Sequence, residues 1–241
     1  VRVIRPSKDQ SKPEINEVFA ADLKRPFGSA FYPNGKNPNY IYIGNTDSVI
    51  RFPYKNGDLK PGGKAELIAT VPGWGELTGG GHWTRDIAFS PDNKKMFVSV
   101  GSHSNVYENP NENEVNRATI LEFNPDGTGL RTYVSGIRNA VGIAVHPQTG
   151  ELWASVNERD GLGDDLVPDY ITRVKDGDFF GWPWYYIGGN QDPRHPGKLP
   201  ELRSKVKVPD VLLQSHSASL QIIFYTGKMF PNEYKNEAFA A

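Results

Sequence analysis

The chain has 241 residues with 25 Gly, 19 Pro and no Cys, and its 27 Lys and Arg nearly cancel 28 Asp and Glu to leave a formal charge of −1. That balance gives no field to draw nucleic acid or an anionic membrane surface, and no run approaches the ~20 apolar residues of a membrane span. Disulfides and thiolate metal sites are excluded, and Gly and Pro recur too often for long helices, which points to short strands and turns.

Residues 1–17 are polar and carry Pro6 and Pro13, so they read as an extended lead-in with little structure of their own. Residues 18–241 read as one domain. An apolar run ends at Tyr32-Pro33, turns at Asn34-Gly35, returns over 40–43 and, after the polar Asn45-Thr46-Asp47 loop, gives a third run over 49–53. Alternation bounded by Gly, Pro, Asn and Asp is the hairpin signature.

The same grammar returns twice. Ala30-Phe31-Tyr32-Pro33, Ala88-Phe89-Ser90-Pro91 and Ala144-Val145-His146-Pro147 stand 58 and then 56 residues apart. Second strands follow at 96–100 and 152–156, and third strands at 119–123 and 170–174. Repeats of this length, with several strands apiece and no helical period, fit β-propeller blades of four strands better than a β-sandwich. After Gly181-Trp182-Pro183 the pattern loosens into a Gly/Asp/Pro-rich excursion to Pro209, a lid or a packed loop. Its Trp182, Trp184, Tyr185 and Tyr186 are core candidates, with an aromatic platform for sugar as the alternative. His216-Ser217-Ala218 then precedes a new apolar run at 222–225. The expected fold is therefore all-β, with about three complete blades and part of a fourth. The start at Val1 and the stop within that blade suggest a processed, trimmed or partial chain.

Antiparallel strands return to the face they left, so two loop families share one rim. The first holds Arg25-Pro26-Phe27, His82 to Asp86 and Arg138-Asn139; the second holds Asn45 to Asp47, Ser102 to Asn105 and Asn157 to Asp165. His, Arg and Asn thus gather on one face, and ordinary turn residues on the other. Asp160, Asp164 and Asp165 lack the spacing of an EF-hand loop and read equally well as a solvated acidic loop. His103, His146 and His195 read as surface residues.

Several motifs together resemble the soluble pyrroloquinoline quinone (PQQ) dependent sugar dehydrogenases, in particular their sorbosone dehydrogenase-like branch. They are Gly80-Gly81-His82 with Thr84-Arg85-Asp86-Ile87-Ala88-Phe89, Gly101-Ser102, Gly136-Ile137-Arg138-Asn139, Val156-Asn157-Glu158-Arg159-Asp160, Pro168-Asp169-Tyr170, Gly181-Trp182-Pro183, and His216-Ser217-Ala218 with Phe224-Tyr225. The resemblance implies a six-bladed propeller with PQQ and calcium in its central cavity. It implies that His82 is the catalytic base and that Arg138 and Asn139 hold the quinone, with Arg85 and His216 as further cofactor contacts. It also implies that the main-chain carbonyls of Glu158 and Arg159 face the calcium ion.

The chemistry suits these roles: a planar quinone with three carboxylates takes a guanidinium fork, and a neutral imidazole takes a hydroxyl proton. The implied function is hydride transfer from an aldose, a sorbosone-like aldehyde or a related CH–OH donor to PQQ. Electrons then pass to an external acceptor, in the periplasm or outside the cell. The family draws further cofactor-binding Lys and Arg from blades beyond this C-terminus. Two other functions compete, a calcium-dependent lactonase-type hydrolase and a non-catalytic propeller that binds glycan or protein.

Overall fold

The structure, a computed structural model, describes residues 1–73, 81–109 and 113–241. The chain opens on a hairpin, β1 (Arg2–Pro6) with β2 (Pro13–Val18), rather than on an unstructured lead-in. Both prolines stand where the strands meet the turn, so neither removes a donor from the middle of the ladder. The Val1 ammonium donates to Ala20 O at 2.9 Å and closes the open end of the hairpin, where Phe19 and Ala20 pack against Ile41, Ile43 and Phe52 of the first blade.

Three four-stranded antiparallel sheets follow in chain order. The first is β3 (Ser29–Tyr32), β4 (Tyr40–Gly44), β5 (Ser48–Pro53) and β6 (Glu66–Thr70). The second is β7 (Ile87–Phe89), β8 (Met96–Val100), β9 (Thr119–Phe123) and β10 (Arg131–Ser135). The third begins with β11 (Ala140–Val145), β12 (Leu152–Val156) and β13 (Pro168–Val174). A small hairpin, β14 (Tyr185–Tyr186) with β15 (Asn190–Gln191), interrupts it before β16 (Val211–Ser215) completes the sheet. Then β17 (Ile222–Phe224) and β18 (Ala238–Ala240) begin a fourth sheet. The innermost strands β3, β7, β11 and β17 are neighbours in that order, the radial arrangement of a β-propeller with four-stranded blades.

The apolar faces meet between blades. Tyr42, Val49, Phe89, Met96, Val98, Leu121 and Phe123 fill the first interface, and Ile120, Val134, Ile143, Ala154, Val156, Tyr170 and Phe180 fill the second. At about 1.5–3 kcal/mol per fully buried large side chain, these contacts stabilise each blade against its neighbour. The long excursion is a packed loop: Phe180, Trp182 and Tyr185 are buried, and Phe179 bridges Ser135 and Val206. Its aromatic residues are accordingly part of the core, except for the half-buried Trp184 and Tyr186.

Polar ties at the rim set the blade spacing. Gly28 N donates to Arg85 O at 3.0 Å, the buried Asp86 carboxylate accepts Ile143 N at 2.8 Å, and Asn157 Nδ2 donates to Ser219 O at 2.9 Å. Each tie joins one blade to the next. A Cβ on Gly28 would lie 2.4 Å from Asp86 Oδ1 and 2.5 Å from Asp86 Cα, so only glycine lets the first two blades approach this closely. Gly28→Ala is therefore expected to lower stability by about 2 kcal/mol, the cost of overpacking against fixed backbone. Urea unfolding monitored by circular dichroism measures it, and an unchanged midpoint would contradict the close packing.

Candidate active site

The two loop families predicted to share a rim do meet there. Ser102 N donates to Arg138 O at 2.8 Å and Asn157 N to Asn139 O at 3.0 Å, which joins the loop after β8, the loop before β11 and the loop after β12. Over Gly101 the packing is so close that a Cβ would lie 2.4 Å from both Asn139 Oδ1 and His82 Cβ. His82 and Asn139, from different blades, therefore flank the same glycine.

His82 is half-buried and its tautomer follows from its partners. Nδ1 lies 3.0 Å from Ser102 O and 2.9 Å from Ser102 Oγ. The Ser102 hydroxyl donates to Ser104 O at 2.6 Å, so toward the imidazole it can only accept. Nδ1 must then carry the proton, which leaves Nε2 with a free lone pair and no hydrogen bond among the described residues. Burial, with the nearby Arg138 cation adding to it, pushes the His82 pKa down to about 3.

Arg138 is buried and spends four of its five N–H groups on its surroundings. Nε donates to Asn105 O, Nη2 to Asn105 Oδ1, and Nη1 to Asn157 O and Glu158 O, over 2.6–3.0 Å. Asn105 is the hub of this cluster, since its carbonyl also accepts Trp182 Nε1 at 3.0 Å and its Oδ1 accepts Asp160 N at 3.0 Å. Asp169, at the start of β13, has a similar role: Oδ1 accepts Glu158 N at 2.8 Å and Oδ2 accepts Ala218 N at 2.7 Å. Beside it, burial raises the Glu158 pKa to about 7 even though Arg138 opposes the shift.

The other expected site residues divide. Arg85 is fully buried, with Nη1 on His82 O and Thr84 O and Nη2 on Pro72 O. Its guanidinium satisfies loop carbonyls that lack strand partners, so it positions the His82 loop and does not reach the rim as a cofactor contact. His216 is exposed, with Nδ1 3.1 Å from Asp160 Oδ1 and Nε2 3.0 Å from Gly163 O. Two acceptors on one imidazole favour its protonated form, and the Gly163 carbonyl and the Asp160 carboxylate raise its pKa. Its ring therefore clips the acidic loop.

Of the two main-chain carbonyls expected to face calcium, that of Glu158 accepts Arg138 Nη1 at 2.6 Å, and the Arg159 side chain is buried against Asp192, with Nη1 3.2 Å from Oδ2. Among the described residues no three His, Asp or Glu side chains gather as a metal cage. Of the sequence motifs, Gly80 lies outside the described residues.

The fit to PQQ is better. Asn139 Oδ1 is one of ten buried side-chain N or O atoms with no hydrogen-bond partner among the described residues, and it packs against Gly101. It shares Gly101 with the His82 side chain and follows the buried Arg138 in sequence. Sequence reasoning missed the roles of Ser102, Asn105 and Asp169, although all three lay in the motifs or the rim loops.

The family model described as Glucose / Sorbosone dehydrogenase matches residues 43–241. An uncharacterized protein of Borreliella burgdorferi is 30% identical over 235 residues, covering 93% of this chain, and the chain spans 58% of that relative's length. Among solved structures, the calcium structure of a Trichoderma reesei carbohydrate-active enzyme superposes with a TM-score of 0.76 at 18% identity, covering 93% of this chain and 65% of the other. The holo form of the pyranose dehydrogenase PQQ domain from Coprinopsis cinerea gives a TM-score of 0.73 at 18% identity, covering 93% and 63%. The chain thus has the β-propeller fold of those enzymes, and it belongs to the glucose/sorbosone dehydrogenase family.

The His82 geometry makes a direct prediction. Nitrogen-detected NMR of the imidazole is expected to show a neutral Nδ1–H tautomer from pH 8 down to pH 5, where a free histidine is mostly charged. The folded pKa lies below the unfolded one, so between about pH 6.5 and pH 3 the unfolded chain binds the extra proton and His82 costs stability as pH falls. Protonation of His82 between pH 6 and 7 would contradict this environment.

Proposed function

We propose that this chain carries the base and some of the cofactor cradle of a sugar dehydrogenase that uses PQQ to oxidise a pyranose or a related CH–OH donor. The observation that carries the reading is His82, whose Nδ1–H is fixed on Ser102 and whose Nε2 is unbonded among the described residues, set against Asn139 of the next blade across Gly101. Family membership supports it, as does the fold shared with a PQQ domain.

When bound, PQQ supplies the hydride acceptor, and the protein supplies position and charge. His82 Nε2 takes the hydroxyl proton of the donor as hydride leaves carbon, while Nδ1–H stays on Ser102 and fixes the ring plane. Arg138 holds positive charge beside the site through four bonds that also lock the rim loops, and its remaining N–H is available to a cofactor carboxylate. Asn139 offers the amide that lacks a partner. Glu158 and Asp169 keep the Arg138 loop in place from behind. His216 acts on the cofactor only through the acidic loop it clips. An external electron acceptor and a periplasmic or extracellular location belong to the same proposal. Among the described residues no helix is long and apolar enough to cross a membrane.

The test is aldose-dependent dye reduction by the full chain supplied with PQQ and calcium. His82→Ala is expected to lower kcat by about 10²–10⁴-fold, the ordinary contribution of a positioned base, with cofactor binding retained. Turnover of His82→Ala at the parent rate would remove the base assignment. Lactone hydrolysis without PQQ, in the absence of sugar oxidation, would overturn the dehydrogenase reading itself.

A further inference from the structure

A second concavity of about 290 Å³ opens between the second and third blades, beside the rim that carries His82. Tyr107, Phe179, Trp182 and Trp184 contribute its aromatic surfaces, and Glu114 and Arg117 its charges. None of these six belongs to the set formed by His82, Arg138 and Asn139.

The cleft is held in shape from several sides. Trp184 meets Tyr107 edge-on at 5.7 Å and His195 at 4.9 Å, and His195 Nε2 is fixed 3.0 Å from Val106 O. Trp182 is only 5% exposed, its indole N–H committed to Asn105 O, while Trp184 keeps a half-exposed face. Both carboxylate oxygens of Glu114 accept His103 N, at 2.9 and 3.0 Å, which sets that group's orientation. Arg117 is 9% exposed; burial lowers its pKa, and the Glu114 charge opposes that shift.

We propose that this cleft binds one pyranose ring of an oligosaccharide, a proposal that rests on the sugar dehydrogenase reading of the neighbouring site. The C–H face of a pyranose packs on indole and phenol rings. A fixed carboxylate accepts, and a guanidinium donates, hydrogen bonds with adjacent ring hydroxyls. The volume sits at the lower edge of the roughly 300–1,000 Å³ typical of small-molecule sites, which suits a single ring. Glu114 beside Arg117 balances the cation and favours a neutral ring over an anion. The cleft also communicates with the reaction site. Asn105 O accepts both Trp182 Nε1 and Arg138 Nε, and the Arg117 charge acts on His82.

The experiment is calorimetric titration of the cofactor-free full chain with maltotriitol and with cellotriitol, whose reduced ends carry no hemiacetal to oxidise. At least one of them is expected to bind and to quench tryptophan fluorescence. Trp184→Ala and Glu114→Gln are each expected to weaken binding at least tenfold, with circular dichroism reporting that both variants are folded, and His82→Ala is expected to leave it unchanged. Failure of both alditols to bind, or unchanged affinity in either folded cleft variant, overturns the proposal, even where glucose is oxidised. Binding of an alditol by a chain that oxidises no sugar supports the cleft while removing the dehydrogenase reading.

Discussion

A guanidinium buried without a carboxylate in hydrogen-bond contact sets the geometry of this rim. Taking the Arg138 charge out of water costs several kcal/mol unless its N–H groups are met, and here they are met by Asn105, Asn157 and Glu158. Those acceptors lie on the loop after the second strand of one blade and on the corresponding loop of the next. Satisfying one cation therefore brings two blades' rim loops to fixed positions. The same charge, together with burial, keeps His82 neutral. The structure of the rim and the role proposed for His82 thus depend on one side chain.

Around that centre the blades hold one another through groups with almost no freedom. Asp86 accepts Ile87 N and Ile143 N from two innermost strands, and its burial raises its pKa to about 6. Between about pH 4 and pH 6 the folded state binds the extra proton, so this contribution to stability is lost as pH rises through that window. Glu158 acts in the same direction up to about pH 7, whereas His82 gives up stability as pH falls. The rim therefore holds opposing titrations.

Much of the fold was legible because blades repeat. Three inner strands ending in a Pro-led turn, at Tyr32, Phe89 and Val145, announced the period, and antiparallel geometry then assigned the rim. The fourth strands β6, β10 and β16 were not announced, since outer strands such as Arg131–Ser135 are largely exposed and carry little alternation. The opening hairpin was hidden for a similar reason: its strands are mostly exposed, and only pairing reveals them.

At the site, residue types were legible and partners were not. His82, Arg138 and Asn139 could be placed on one rim from spacing, but nothing local states that Arg85 turns inward to carbonyls, or that Arg138 takes the carbonyl expected of calcium. Those outcomes depend on which backbone groups the loops leave unpaired, a property of the folded loops. Asn105 is the clearest case, an ordinary loop residue in sequence that accepts four hydrogen bonds in the fold.

The proposed quinone cradle is the rim shared by the second and third blades. Equilibrium titration of PQQ into the full chain in the presence of calcium, followed by the cofactor's absorbance, tests it most directly. Saturable binding of one PQQ per chain, weakened at least tenfold by Asn139→Ala, is the result the account predicts. A folded chain that shows no saturable binding, or an Asn139→Ala variant that binds as the parent does, would contradict it.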